Sequence, residues 1–177
     1  DGDSLTYFTM QDGLSDHQIR SIHEDRNGVV WFEGGAGLSG FDGERIITPT
    51  NKNYTSKDDW RLETRDLWFK EDGGVGATET EAQPGVYRYD GKTFTYLAYP
   101  VSADPDRMSA YATTCIAKGK SGRRWFATYT TVFGYDGESF TILDDKSLGL
   151  NDSTGRLHVR CVLEDSKGKL WIGNNGI

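Results

Sequence analysis

Apolar residues in this chain alternate with polar ones over short runs and nowhere hold a helical 3.6 spacing. Ile19 to Glu24, Thr113 to Lys118 and Val159 to Glu164 each read as one short strand. A polar turn follows each, and then a run carrying a bulky pair: Trp31-Phe32, Trp125-Phe126 or Trp171-Ile172. A third run enters Tyr/Phe-Asp-Gly. A fourth leaves it, over Ile46 to Thr48, Phe94 to Leu97 and Phe140 to Leu143. The pattern predicts four-stranded antiparallel units and no long helix. Gly supplies 22 of 177 residues, about 12% against a usual ~7%, as expected for a chain dense in turns.

Two landmarks fix the period. Asp-Gly recurs as Asp1-Gly2, Asp42-Gly43, Asp90-Gly91 and Asp136-Gly137, and an apolar residue stands four places after each Asp. In phase with it, Asp25 to Gly28 before Trp31 reappears as Asp165 to Gly168 before Trp171. A weaker copy, Gly119 to Gly122, precedes Trp125. Both motifs are hairpin chemistry: the Asp accepts backbone N–H groups across the turn and the Gly supplies positive φ. Self-similarity at about 40–50 residues marks a stack of like modules, and four strands per module indicate β-propeller blades, with a stacked solenoid as the rival. The modules are repeat one, 11–48; repeat two, 49–97; repeat three, 98–143; and a partial repeat four, 144–177. Residues 1–10 read as the outer strand of a split blade. Four blades make a tight ring, so the chain is expected to be an excerpt of a longer propeller, the alternative being a short protein that closes alone or pairs with a second copy.

Gly13 to Phe32, followed by Gly37-Leu38 and Phe41-Asp42-Gly43, resembles the two-component regulator propeller repeat, as does Gly149 to Gly173. Repeat three is a fair match. Repeat two keeps only Leu67-Trp68-Phe69 and Gly85 to Gly91. The resemblance implies a sensor β-propeller of bacterial hybrid histidine kinases and related signalling proteins, extracytoplasmic (periplasmic or secreted) and not an enzyme. Its motif residues are structural, so it transfers no catalytic set.

The formal net charge of −7 argues against nucleic acid or an anionic membrane as partner. No apolar run reaches the ~18–20 residues of a membrane span. Cys115, Cys161 and Ser21 share one slot in three repeats and read as a small packing position. Neither a disulfide nor a metal site is expected, and no cofactor is called for. His17 and His158 stand just before inner strands, on the face where propellers carry ligand loops, whereas His23 should face away. Arg20 and Arg160 hold matching inner-strand slots, with Thr114 third; they suit a carboxylate or sulfate, or else pair with acidic residues of a neighbouring blade.

Repeat two departs most from the pattern. Lys70 to Gly85 is a long acidic loop whose Glu71, Asp72, Glu79 and Glu81 lack calcium-loop spacing. Before it, Lys57-Asp58-Asp59-Trp60-Arg61 offers either an exposed sugar- or peptide-binding aromatic or a Trp that fills an irregular blade. Tyr99 to Tyr111 and Asp144 to Arg156 would rise beside it as a pocket rim. Three classes follow. The first is a module sensing a small molecule or glycan for a protein partner or fused signalling domain. The others are a rigid interaction scaffold, with self-association through open blade edges, and last a propeller lyase or hydrolase.

Overall fold

The computed structural model describes residues 5–49, 52–54, 60–70, 84–101 and 109–175. Asp1-Gly2, Lys57 to Asp59, the acidic loop's Glu71, Asp72, Glu79 and Glu81, and most of the rim loop after Tyr99 lie outside them. Fourteen strands in four sheets make up the described chain, arranged as β-propeller blades that do not close into a ring.

Blade I holds β1 (Ile19–Glu24), β2 (Val30–Gly34), β3 (Leu38–Phe41) and β4 (Ile46–Ile47) in sequence order, antiparallel throughout. Blade II contains β5 (Lys52–Tyr54), β6 (Leu67–Lys70), β7 (Gly85–Tyr89) and β8 (Phe94–Ala98). Blade III repeats the pattern of blade I with β9 (Thr113–Lys118), β10 (Arg124–Thr128), β11 (Val132–Tyr135) and β12 (Phe140–Leu143). Blade IV has β13 (Val159–Glu164) and β14 (Leu170–Asn174). The three inner strands read from sequence match the observed ones residue for residue.

The hairpins form as their chemistry requires. Asp25 Oδ1 accepts the N–H groups of Asn27 (2.7 Å) and Val29 (3.1 Å), and Asp165 does the same for Lys167 and Lys169. Gly28, Gly122 and Gly168 hold φ between 78° and 89°. At the other hairpins Asp42, Asp90 and Asp136 each accept two amide N–H groups. Those from Ser139 and Glu138 hold Asp136 down to about 2.

Three tryptophans form the seams. Trp31 meets Phe69, Tyr89 and Phe94 between blades I and II, Trp68 meets Phe126 between II and III, and Trp125 joins Val159 and Val162 between III and IV. Gly40 and Gly134 stand opposite Trp31 and Trp125 because the indoles lie across them; a Cβ on Gly134 would come 2.4 Å from the ring. Trp171 has the same strand position, and with no described blade in front of it is 53% exposed.

Each indole N–H in blades I, III and IV reaches a carboxylate. Trp31 and Trp171 use the Asp six residues earlier, Asp25 and Asp165, both at 3.0 Å. Repeat three has Gly119 in that slot, and Glu164 of blade IV crosses the seam instead. It accepts from Trp125 Nε1 (2.7 Å), Ser121 N (2.9 Å) and Ser121 Oγ (3.0 Å). Those bonds, from Trp125 first, hold its carboxyl below the ordinary range. Gly119 is required for this, since its Cβ would lie 2.2 Å from Glu164 Oε2.

Two expectations change. Blade II is not a plain antiparallel meander: β5 pairs with β8 in parallel, so the sheet order is β5-β8-β7-β6. The chain passes from the outer edge of blade I to the outer edge of blade II before turning inward, and among the described residues no strand lies inside β6. The outer strand expected over residues 1–10 is also not formed in its described part. Residues 5–9 make no ladder, Phe8 leans on Phe41 at 4.9 Å, and Met10–Asp12 is a short 3-10 turn capped by Thr9.

Removing Glu164 would strand the buried Trp125 indole N–H and release both Ser121 donors. Glu164→Ala is expected to lower the unfolding free energy by roughly 2–3 kcal/mol in urea titrations. Gly119→Asp should be destabilising in the native background but restore part of the loss in Glu164→Ala, by rebuilding the cap within the blade.

Candidate functional site

Among the described residues no strand lies inside β6, and a cavity of about 260 Å³ opens there between the inner strands of blades I and III. Ser21 and His23 of β1, Glu33 of β2, Lys70 of β6, Thr114 of β9 and Arg124 of β10 line it. Glu33 is buried: it accepts Lys70 N at 2.6 Å and Ser21 Oγ at 2.7 Å, with Lys70 Nζ 3.9 Å away. A carboxylate from one blade thus satisfies an edge amide of the next.

Arg124 lies with its guanidinium 5.8 Å above the centre of the Trp68 ring, a cation–π geometry, and burial pushes its pKa down while Asp66 opposes the shift. Among the described ion pairs none involves Arg124. His23 presents its ring edge to Phe69 at 5.7 Å. Burial pushes its imidazole below the usual value, with Glu33 opposing and Arg124 adding to the shift. The cavity therefore combines a desolvated cation, an imidazole whose protonation burial disfavours, hydroxyls, the Glu33–Lys70 pair and the Asp66 carboxylate. That set can orient an anionic or polyhydroxylated molecule.

Blade II explains its own irregularity. In the slot six residues before its Trp stands Leu62, and the buried Trp68 Nε1 finds no partner among the described residues. Opposite Trp68, where Gly40 and Gly134 stand in other blades, is Arg88. Its buried guanidinium pairs with Asp66 at 3.5 Å, and Asp66 also takes Arg26 at 3.2 Å. Burial raises the Asp66 carboxyl and both arginines oppose that shift.

The sequence-derived candidates fall in separate places. Trp60 takes the packing role of its two: it stacks on Trp68 (5.8 Å) and Tyr99 (6.3 Å), and its indole N–H donates to Ala98 O at 3.0 Å. Arg61 is exposed on a second, open cleft of about 580 Å³, where Arg26, Arg65 and Lys92 face Glu63 and Asp90. His158 and Arg160 come together around Tyr129, the imidazole edge-on at 4.9 Å and the guanidinium 5.2 Å above the ring. His17 and Arg20 are exposed at the start of β1, Arg20 lying over Gly35. Cys115 and Cys161 are both free thiols.

The matching slot of Arg20, Thr114 and Arg160 is a β-bulge in every case, the extra residue where the ladder shifts register. Sequence spacing reveals the equivalence of these residues but not the bulge. It also missed Glu33, Lys70 and Arg124, while His23 does face away from Ile22, as their alternation requires. The available signal was the lack of an alternating strand just before Leu67.

No curated protein matches the chain. The family pattern described as "Two component regulator propeller" matches residues 13–32 and 152–176. Among solved structures, the extracellular domain of a putative hybrid two component system from B. thetaiotaomicron superposes with a TM-score of 0.62 at 22% identity, covering 96% of this chain and 24% of that one. A second such domain from the same organism gives 0.55 at 14% identity, covering 92% and 20%. A catalytically inactive virginiamycin B lyase from Staphylococcus aureus, with quinupristin, gives 0.51 at 17% identity, covering 92% and 51%. The chain thus spans about a quarter or less of the two-component domains and half of the lyase, and at these identities the likeness concerns the fold. Among the described residues no helix is long and apolar enough to cross a membrane.

Because His23 is harder to protonate in the fold than in the unfolded chain, the unfolded state binds the extra proton first as pH falls. Its contribution is full above the ordinary histidine value of about 6.5 and is lost below it. Thermal midpoints should therefore fall more steeply between about pH 7.5 and about pH 5 for the native chain than for His23→Gln.

Proposed function

We propose that this chain, whose residues 13–32 and 152–176 match the two-component regulator propeller pattern, is a ligand-sensing β-propeller module of a bacterial signalling protein, non-enzymatic and extracytoplasmic. Its occupancy would be read by a protein partner or fused signalling domain. The observation that carries this reading is the cavity inside β6, lined by His23 of blade I and Arg124 of blade III. Arg124 is desolvated over Trp68 with no ion pair of its own among the described residues, because Asp66, the carboxylate that also lines the cavity, pairs with Arg88 and Arg26. The cavity's charge and hydroxyls fit a small acid or an acidic glycan.

One observation favours a second reading, a rigid protein-interaction scaffold: the open cleft at Arg61 sets cations and carboxylates side by side, as a protein surface would require. The lyase reading has only the likeness of fold behind it.

Calorimetry against a panel of monocarboxylates, uronic-acid disaccharides and neutral glycans tests the proposal. One acidic class should bind and lose at least about tenfold in affinity in Arg124→Ala, the worth of one charge-assisted hydrogen bond, with Arg61→Ala unaffected. A panel negative throughout, with a captured protein lost in Arg61→Ala, would favour the scaffold.

A further inference from the structure

Two nitrogen-bearing side chains face the cavity inside β6 without a hydrogen bond to any described residue. Arg124 of blade III rests over the Trp68 ring, and His23 of blade I meets Phe69 through its ring edge. The carboxylates on the same walls are already engaged. Glu33 of β2 accepts from Ser21 and from the Lys70 amide, with the Lys70 ammonium beside it, and Asp66 pairs with Arg26 and Arg88. Together with Arg124 of β10 and the Cys115 thiol of β9, these are the charged and titratable groups that share the cavity with His23. Among the described residues none offers a hydrogen-bond acceptor to Arg124 or to His23.

An anion that takes the Arg124 guanidinium also changes the balance at His23. Burial and the Arg124 charge disfavour the protonated imidazole, and Glu33 offsets them in part. A bound carboxylate cancels the repulsion from Arg124 and attracts the imidazolium, whose N–H then becomes a second charge-assisted donor. At about 260 Å³ the cavity is smaller than the ~300–1,000 Å³ of drug-sized sites, so it suits a compact acid.

We propose that a compact monocarboxylate bridges Arg124 and His23 across this cavity and draws one proton from solvent onto the imidazole as it binds. This role rests on the ligand-sensing reading and adds a regulator to that site: binding strengthens as the medium acidifies. The bound state holds the proton more tightly than the free state, so affinity is lowest where His23 is neutral in both and levels off where it is charged in both. The ligand's own carboxyl, with an ordinary value of about 4, stays ionised above about pH 5.5.

Calorimetry of the full chain with glucuronate, at about pH 6.5 in buffers of low and high ionisation enthalpy, counts the protons taken up on binding. A net uptake is expected, with affinity about tenfold tighter at pH 5.5 than at pH 7.5, as follows from a rise of about one pH unit in the His23 midpoint. His23→Gln should still bind glucuronate through Arg124, with no uptake and a flat pH profile. Magnetic resonance of the His23 imidazole supplies a second readout: its titration midpoint should rise when glucuronate is added, and rise without ligand in Arg124→Gln. Binding without proton uptake, or uptake that persists in His23→Gln, overturns the proton linkage and leaves the ligand-sensing reading standing. Glucuronate and lactate that both fail to bind at every pH overturn the two together.

Discussion

Every seam in this molecule turns on an indole wedged between two sheets, and in three of the four blades its N–H is held by a carboxylate. The ring buries one of the largest apolar surfaces a side chain offers, while the carboxylate removes the cost of taking a polar N–H out of water. The same carboxylate, in blades I and IV, also ties the preceding turn. Turn, ring orientation and blade spacing are therefore one constraint. The glycines opposite Trp31 and Trp125 follow from it, because the ring needs the space a Cβ would take.

That economy made most of the fold legible. Asp, Gly and Trp at fixed offsets specify a hairpin and a seam locally, so the inner strands of blades I, III and IV could be drawn to the residue. What was hidden depends on partners distant in sequence. Glu164 caps a turn 43 residues upstream, and nothing in the run around Gly119 announces which carboxylate replaces the missing Asp. Blade II lost its local code altogether, with Leu62 and Arg88 in the slots that elsewhere hold the carboxylate and the glycine, so β5 could not be placed and Trp60 could not be assigned to the core.

The candidate site is a product of that loss. Among the described residues no strand lies inside β6, and the groups along its inner edge face a cavity. Glu33 takes over the hydrogen bonding of one edge amide, leaving His23 and Arg124 to set the character of the space. The bulges at Arg20, Thr114 and Arg160 act in the same direction, turning side chains out of the ladder near the inner edge. The chemistry lies where the repeat is least regular, as expected when a scaffold is held by its regular parts.

The reach of Glu164 has one more consequence. Repeat proteins gain cooperativity from neighbour-to-neighbour terms, and here one such term is a hydrogen-bonded clamp rather than surface contact alone. The first turn of blade III loses its carboxylate cap if blade IV peels away, whereas blade I keeps its own through Asp25. Amide exchange would therefore reveal an asymmetric molecule: the third and fourth modules opening as one foldon, and the first fraying independently.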